Sequence, residues 1–577
     1  MAQLHRSVEE ESTRASSAPT SVESRGVTNK YTRCLGMLYD IAVDSYNDPA
    51  GDLTWTSSNF AEVIPGVQTP LSASMWTQTI ERSTRETMFR IGVITAAERD
   101  GDLPSPLRSP LMRRFYGRVA VQVGIFAVIG DRLPGATGEG AVAAMLGRTP
   151  EGMVYHPTRS RYPMVALRVP YLVATMSGRI RRVNKRTTDW YLRECARIPE
   201  LPLAAALASF RLAWRRFDRA VALQAMTTLA VVQPLYEAVE TLTQRTGVGD
   251  TGVFSGSGSP EVAGLINGIW NASRGKCDIN EVQRRYGYHG PAEGELKSET
   301  WREDPGPLIA LLERYARLDD DADPGLADRA HRRRRAALTR ELLGTLTPAK
   351  RPAALAILWL AARRIPLRGA AKESFLMAFD VARAAARRAG VCLAERGDIA
   401  CPDDIFFLTT DEFLGRIPSN VRELIDERRT QRDLYQGYSA LPSHWTGSPP
   451  EVDHADLSVD SSIVSGIGVS PGVKVGTARV LTDPDFEEVE PGEILVATFT
   501  DPGWASVMFI SAALVVDIGG ALSHAAVVAR ELRLPCVVNT QNGTKLIRTG
   551  DEVRVNGQTG TVEILCRAAD RKLCALD

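Results

Sequence analysis

The sequence predicts an α+β multidomain protein in which a large, mainly helical domain precedes a small α/β domain. Residues 201–243, 353–364 and 373–395 carry apolar side chains at three- and four-residue spacing, with arginine and glutamate between them. This spacing is typical of amphipathic helices. Closer to the C-terminus, the pattern changes to short β-rich runs separated by turns and one helix: VGTARVL, EILVAT, AALVVD and PCVVN. Such runs indicate the strands of a compact α/β unit.

Two stretches inside the helical region favour a smaller β component. Residues 118–129 and 162–173 contain clusters of β-branched side chains, which predict strands there. Prolines, serines and scattered acidic residues over 438–460 resist packing and indicate a linker. The expected organisation is a disordered tail (1–30), the helical domain (31–437), the linker (438–460), the α/β domain (461–568) and a C-terminal tail (569–577).

Composition argues for a soluble intracellular enzyme. The 577 residues include 69 basic and 69 acidic side chains, so charge favours neither a nucleic-acid partner nor a membrane partner. The apolar runs are too short to cross a bilayer. The eight cysteines form no C-x-x-C pair, which favours a reducing compartment, and we expect the cytoplasm.

The run GGALSHAAVVAR, residues 519–530, places His524 where a helix should begin. The first N–H groups of a helix have no internal partner and carry partial positive charge, so an anion is stabilised there. Ser523 can cap the helix, and Gly519 and Gly520 leave room for a bulky group to approach the ring. A neutral imidazole in this position can act as a nucleophile that carries a phosphoryl group. The alternative is a histidine that only packs or caps.

Further motifs occur in a fixed order along the chain. GIGVSPG begins at Gly466, TDPGW spans residues 500–504, and LPCVV follows the histidine motif. Upstream lie NFAEVIPGVQTPLS from Asn59, YGYHGPAEGEL from Tyr286 and AERGDIACPDDIFFLT from Ala394. Together these motifs resemble the phosphoenolpyruvate (PEP)-utilising enzymes, closest to rifampicin phosphotransferase-like and PEP synthase-like members.

The resemblance implies a substrate-binding helical domain, a swivelling phosphohistidine domain at 461–568, and His524 as the residue that accepts and passes on a phosphoryl group. Family members normally begin with an ATP-grasp domain, which has no counterpart in this sequence, and no Walker-type loop replaces it. We therefore expect a separate ATP-grasp subunit as partner. That partner, and not this chain, would bind ATP, and Mg²⁺ would be required at the donor step. We assign no metal ligands to this chain.

The acceptor side is predicted from the YGYHGPAEGEL motif. His289 stands where relatives commonly have another basic residue, which suggests a general base rather than an arginine-like phosphate clamp. Glu293 and Glu295 alternate along an extended segment and can orient a hydroxyl or hold a metal ion. The alternative for His289 is a structural histidine held by hydrogen bonds. The alternative for Glu293 and Glu295 is that they are surface carboxylates.

Other candidates bind phosphate or substrate. Arg368 and Lys372 are four residues apart on a predicted helix, so both can face an incoming phosphate. The relatives often have glutamate where this chain has Gly369. Six further candidates are added because of their positions in the family motifs: Ser523, Gly520, Thr500, Asp501, Asn59 and Glu62. The alternative is that these residues only form turns or cap helices.

Three functions follow from these features. The first is a phosphotransferase component that relays a phosphoryl group through His524 from the partner to a hydroxyl of a small-molecule acceptor. The second is a dehydratase of a specialised metabolite, in which transient phosphorylation makes the hydroxyl a leaving group and a base such as His289 drives elimination. The third is a non-catalytic binding or regulatory homologue.

Overall fold

The computed structural model describes residues 53–57, 63–64, 66–146, 149–150, 152–247, 260–438, 441–449, 462–481, 489–500, 502–520 and 523–568. These residues belong to one compact unit. Its helices and strands confirm an α+β architecture. The predicted tails at 1–30 and 569–577 lie outside the described residues.

The first part of the chain is mainly helical, as predicted. Its helices are α1 (Pro70–Ile91), α2 (Ala96–Asp100), α3 (Gly124–Arg132), α4 (Gly138–Leu146), α5 (Tyr162–Arg197), α6 (Leu203–Thr227), α7 (Gln233–Thr246), α8 (Pro260–Ser273), α9 (Ile279–Tyr286), α10 (Gly306–Ala316), α11 (Pro324–Thr345), α12 (Arg351–Arg364), α13 (Leu367–Glu395), α14 (Thr410–Leu414) and α15 (Val421–Gln436). A π-helical turn, Thr228–Val232, joins α6 to α7. Helix α13 is the central element, because it packs against α6, α5 and α8.

A small antiparallel sheet closes one side of this helical body. Its strands are β1 (Thr54–Thr56), β2 (Met112–Phe115), β3 (Arg118–Gln122) and β4 (His444–Thr446), in the order β2-β3-β1-β4. Trp55 pairs with Trp445 across β1 and β4. Strand β4 therefore lies inside the predicted linker at 438–460. Within that stretch, residues 441–449 belong to the region of this sheet. Residues 439–440 and 450–460 of the predicted linker lie outside the described residues.

The strand prediction for 162–173 is wrong, because this stretch is the start of the long helix α5. Val165, Leu172, Met176 and Ile180 are the buried positions in its first half, and spacings of seven and four residues are those of one helix face. The prediction for 118–129 is correct only for β3, since Gly124–Arg132 forms α3.

The second part of the chain is a mixed eight-stranded sheet with three short helices. Its strands are β5 (Ile463–Ser465), β6 (Ile467–Ser470), β7 (Val473–Leu481), β8 (Ile494–Ala497), β9 (Ala513–Val516), β10 (Cys536–Val538), β11 (Glu552–Asn556) and β12 (Thr561–Cys566). The helices are α16 (Ala505–Ile510), α17 (His524–Leu532) and α18 (Gly543–Leu546). The parallel core β7-β8-β9-β10 contains the four runs recognised in the sequence.

One continuous hydrophobic cluster joins the two parts. It contains Trp504 and Ala525 from the α/β part together with Trp76, Phe375 and Tyr315 from the helical part. The helix that begins at His524 is thus packed against the helical body. Across the described ranges, no helix is both long enough and apolar enough to span a bilayer.

Candidate active site

His524 is the first residue of helix α17, as the sequence predicted. Ser523 is the N-cap, and its side chain accepts a hydrogen bond of 3.1 Å from the Ala526 N–H. The Ser523 N–H in turn donates to the Gly520 carbonyl at 3.0 Å. A Cβ added to Gly519 would lie 3.2 Å from the Ser523 hydroxyl, so a larger residue there would crowd the cap. Residues 521–522 lie outside the described residues.

A cavity of about 390 Å³ lies between the start of α17 and the helical body. His524, His289, Arg368, Lys372 and Glu373 are among its polar lining residues. Much of the remaining wall is aliphatic and aromatic, with contributions from α1, α3, α6, α8 and α13. A largely apolar cavity that also presents polar groups is typical of small-molecule sites.

Arg368 and Lys372 lie in the first two turns of α13 and both line the cavity. Burial lowers the pKa of His524 well below its usual value of 6.5, and the positive charges of Lys372 and Arg368 lower that pKa further, followed by His289. The imidazole is therefore neutral at physiological pH and keeps a lone pair for nucleophilic attack. The same two cations can pair with a phosphoryl group once the ring carries one.

His289 faces the same cavity and is paired with Glu293. Its Nδ1 is hydrogen-bonded to the Glu293 carboxylate, and both side chains are buried. With Nδ1 engaged by the carboxylate, Nε2 is left to exchange a proton with a ligand. The Trp301 N–H donates to the His289 carbonyl at 2.8 Å, which fixes the backbone at this point.

Glu373 is a cavity residue that the sequence reasoning missed. Its carboxylate accepts hydrogen bonds from the Tyr288 hydroxyl at 3.0 Å and from the Asn184 amide at 2.7 Å. Burial, followed by the charge of Glu373, raises the pKa of Tyr288 well above its usual value of 10, so the phenol remains a donor. The carboxylate is therefore held in a fixed position by Tyr288 and Asn184. Only the fold joins residues 184, 288 and 373, so no spacing pattern in the sequence points to this group.

Glu295 does not line the cavity. Its carboxylate accepts hydrogen bonds from the Thr69 N–H, the Thr69 and Ser72 hydroxyls and the Lys297 N–H, at 2.5–2.8 Å. It thereby ties the start of α1 to the segment that carries His289. The neighbouring Gly294 is required because a Cβ there would collide with the Val63 carbonyl oxygen.

Three of the remaining candidates cannot be placed. Asp501, Asn59 and Glu62 lie outside the described residues. Thr500 is buried, and its hydroxyl has no hydrogen-bond partner among the residues that the structure describes. Thr500, Gly520 and Ser523 belong to the α/β part but do not line the cavity.

The described residues do not offer a metal site. No group of three or more histidine, cysteine, aspartate or glutamate side chains within these ranges is close enough to hold an ion. No chemical step proposed below depends on a metal ion held by the described residues.

Two family models match the chain in the regions that form this site. Residues 489–560, which include His524, match the PEP-utilising enzyme mobile domain. Residues 274–368, which include His289 and Arg368, match the rifampicin phosphotransferase fourth domain. Residues 489–560 are thus similar to the mobile domain of PEP-utilising enzymes. The chain is also similar to the rifampicin phosphotransferases, as the sequence motifs predicted.

Curated relatives agree with the two models. Rifampicin phosphotransferase of Streptomyces sviceus is 32% identical over 305 residues, which covers 49% of this chain and 33% of the relative. An uncharacterized protein of Mycobacterium tuberculosis is 31% identical over 285 residues, covering 49% and 31%. The prodigiosin synthesizing transferase PigC of Serratia marcescens is 29% identical over 318 residues, covering 50% and 33%. The matched region spans about a third of each relative's length.

Proposed function

We propose that this chain relays a phosphoryl group through His524 to a hydroxyl of a small molecule bound in the cavity. The observation that carries the proposal is that His524, Arg368, Lys372 and His289 line one cavity, and the last three are close enough for their charges to act on the pKa of His524. His524 lies in the region that matches the PEP-utilising enzyme mobile domain, and His289 and Arg368 lie in the region that matches the rifampicin phosphotransferase fourth domain. Relatives named rifampicin phosphotransferase support the same reaction class.

The charging step needs a neutral ring and an external donor. An imidazole nitrogen of His524 attacks a phosphoryl group of ATP, a nitrogen–phosphorus bond forms and the bond to the ATP leaving group breaks. We propose that a separate ATP-grasp chain in the cytoplasm binds the ATP and the Mg²⁺. The mobile domain would carry His524 between that donor and the cavity described here.

The delivery step uses cationic side chains that line the cavity. Arg368 and Lys372 pair with the phosphoryl oxygens, where charge must be stabilised in the transition state. The acceptor oxygen attacks phosphorus, an oxygen–phosphorus bond forms and the bond to His524 breaks. The acceptor proton passes to Nε2 of His289, and Glu293 stabilises the resulting imidazolium through Nδ1.

The buried His289–Glu293 pair also favours a second candidate function. Once the acceptor is phosphorylated and His289 has released its proton to solvent, the same base can remove a proton from the carbon next to the phosphorylated one while phosphate leaves, which gives net dehydration. A phosphorylated product and a dehydrated product differ in mass, so product analysis separates the two functions.

The relay is tested by co-expressing the chain with an ATP-grasp protein encoded beside its gene and adding labelled ATP. We expect acid-labile, base-stable label on the wild type and none on His524→Ala, while the exposed His156→Ala keeps the label. His289→Asn should retain the label on His524 but lose transfer to a hydroxylated acceptor. Label that survives in His524→Ala would refute the relay. Absence of label in the wild type would favour a non-catalytic homologue.

A further inference from the structure

The segment that carries His289 has no regular secondary structure. Residues 287–305, between α9 and α10, form neither a helix nor a strand. Two backbone hydrogen bonds fold this segment back on itself. The Trp301 N–H donates to the His289 carbonyl at 2.8 Å, and the Arg302 N–H donates to the Gly287 carbonyl at 2.9 Å. The position of the His289 ring therefore depends on what holds Arg302 and its neighbours.

Asp380 of α13 holds Arg302 through two hydrogen bonds. The Arg302 guanidinium donates from Nε and Nη2 to the two oxygens of the Asp380 carboxylate, at 2.9 and 3.0 Å. A bidentate pair of this kind fixes orientation as well as charge. The same carboxylate accepts hydrogen bonds from the Tyr191 hydroxyl and from Nη1 of Arg383, each at 3.1 Å. Asp380 is fully buried and does not line the cavity, so it acts on the site through its partners.

A second carboxylate of α13 holds the other side of His289. Glu373 lies seven residues before Asp380, and this spacing places both residues on one face of the helix, about two turns apart. The Glu373 carboxylate accepts the hydrogen bond from the Tyr288 hydroxyl at 3.0 Å. His289 thus lies between two attachments to one helix, one through Tyr288 and one through Arg302.

Attachment to α13 matters because the same helix carries Arg368 and Lys372. These two cations line the cavity together with His289. In the proposed function the cations hold the phosphoryl group while His289 takes the acceptor proton. Proton transfer requires hydrogen-bond distance, and an error of about 1 Å in placement can slow a reaction about a hundredfold. The base and the cations therefore have to be held in one fixed arrangement.

We propose that Asp380 is a positioning residue, which fixes His289 for proton transfer by holding Arg302. Because Asp380 lies on the same helix as Arg368 and Lys372, the base stays in register with the cations. Asp380 itself does not touch the acceptor. This inference rests on the proposed function for the role of His289 as the base. The placement of the His289 ring, however, is a property of the fold and is measured without any transfer.

The first test measures how fast His289 of the full chain reacts with diethyl pyrocarbonate, followed by mass spectrometry of the modified peptide. Arg302→Lys keeps the positive charge but loses the bidentate geometry, so the segment should open more often. His289 should then react about tenfold faster, as expected when one hydrogen bond to a charged group is lost. Asp380→Asn should act in the same direction. Because Asp380→Asn also removes the partner of the buried Arg383 and can unfold the chain, Arg302→Lys is the deciding variant.

The second test measures the release of labelled phosphate from His524 with water as the acceptor. Arg302→Lys should slow this release about tenfold to a hundredfold when His289 is present. In the His289→Asn background, Arg302→Lys should have no further effect, because its influence passes through His289.

The matched control is Arg428→Lys. Arg428 forms a similar bidentate pair with Glu412, at 2.8 and 3.0 Å, and neither residue lines the cavity. This variant should match the wild type both in the reactivity of His289 and in the release of phosphate.

Three results would overturn the proposal: unchanged reactivity of His289 in Arg302→Lys, an equal increase in Arg428→Lys, or a slowing of phosphate release by Arg302→Lys that is the same with and without His289. A different pair of results would refute the proposed function instead. If His524 takes up no label, or if His289→Asn releases phosphate as fast as the wild type, while Arg302→Lys still exposes His289, then the relay or the base fails and the placement of His289 by Asp380 stands.

Discussion

At the scale of single residues, the protonation state of His524 depends on its neighbours. Burial and the charges of Lys372 and Arg368 lower its pKa, because a second positive charge in a poorly solvated space is unfavourable. The folded protein therefore binds fewer protons here than the unfolded chain. Above pH 6.5 the ring is neutral in both the folded and the unfolded state. As the pH falls below that value, the unfolded chain takes up the proton first, so the free energy of unfolding decreases.

Removing one of the two cations should raise the pKa of His524. We expect Lys372→Met to shift the NMR titration of the His524 ring proton to higher pH, since one repulsive charge is gone while the aliphatic chain is retained. The exposed Lys350→Met is the control and should leave the titration unchanged, and His524→Gln identifies the resonance. An unchanged or lower pKa in Lys372→Met would show that Lys372 does not act on the ring.

The sequence predicted the local structure around several candidate residues correctly. His524 with its Ser523 cap, and Arg368 with Lys372 one turn apart, can be read from neighbouring positions. It failed where distant segments decide the role. The Glu295 carboxylate accepts hydrogen bonds from the hydroxyls of Thr69 and Ser72 at the start of α1. The Glu373 carboxylate is held in place by hydrogen bonds from Tyr288 and Asn184. Neither set of contacts is encoded by spacing along the chain.

At the scale of elements, the strands of the α/β part were predictable because buried parallel strands are short continuous apolar runs. The error at 162–173 has the opposite cause. The β-branched residues of this stretch favoured a strand. The buried face that begins with Val165 and Leu172, however, continues to Met176 and Ile180 with helical spacing. Tertiary packing over a long helix overrode local β preference. The π-turn at Thr228–Val232 carries no sequence signal that distinguishes it from an α-helix.

The N-cap of α17 should matter for both stability and transfer. Ser523→Ala removes the acceptor for the Ala526 N–H, so we expect a loss of about 1 kcal/mol in the free energy of unfolding. Phosphorylation of His524 should also slow, because the ring is no longer held at an ordered helix start. Urea denaturation and the labelling rate measure the two effects. Ser523→Thr keeps a capping hydroxyl, and an equal loss in that variant would contradict the capping role.

At the scale of the whole molecule, the cavity is complete only while the α/β part is packed on the helical body. His524, Val527, Val528 and Glu531 of α17 form one wall, and the helical body forms the rest. The same packing lowers the pKa of His524 through Lys372 and Arg368. In the proposed relay, the nucleophile, the cations and the acceptor space thus come together only when the α/β part packs on the helical body, and no single stretch of sequence specifies this arrangement.

Tyr315 should control how firmly this docked arrangement is held. Its buried hydroxyl donates to the Ser506 carbonyl at 3.0 Å, and its ring packs on Phe509 at 5.2 Å. Nearby, Arg317 and Glu490 form an ion pair of 3.2 Å. Tyr315→Phe keeps the ring contact but leaves the Ser506 carbonyl without this donor, which should weaken docking by about 1–3 kcal/mol.

We expect faster amide exchange over Ala505–Ile510 and faster reaction of His524 with diethyl pyrocarbonate in Tyr315→Phe, because the undocked state is more populated. The exposed Tyr171→Phe is the control and should behave as the wild type. In the relay, delivery to the acceptor should slow while charging of His524 by the donor is maintained or accelerated, since only delivery requires the docked state. If both steps slowed equally, Tyr315 would contribute to folding rather than to docking.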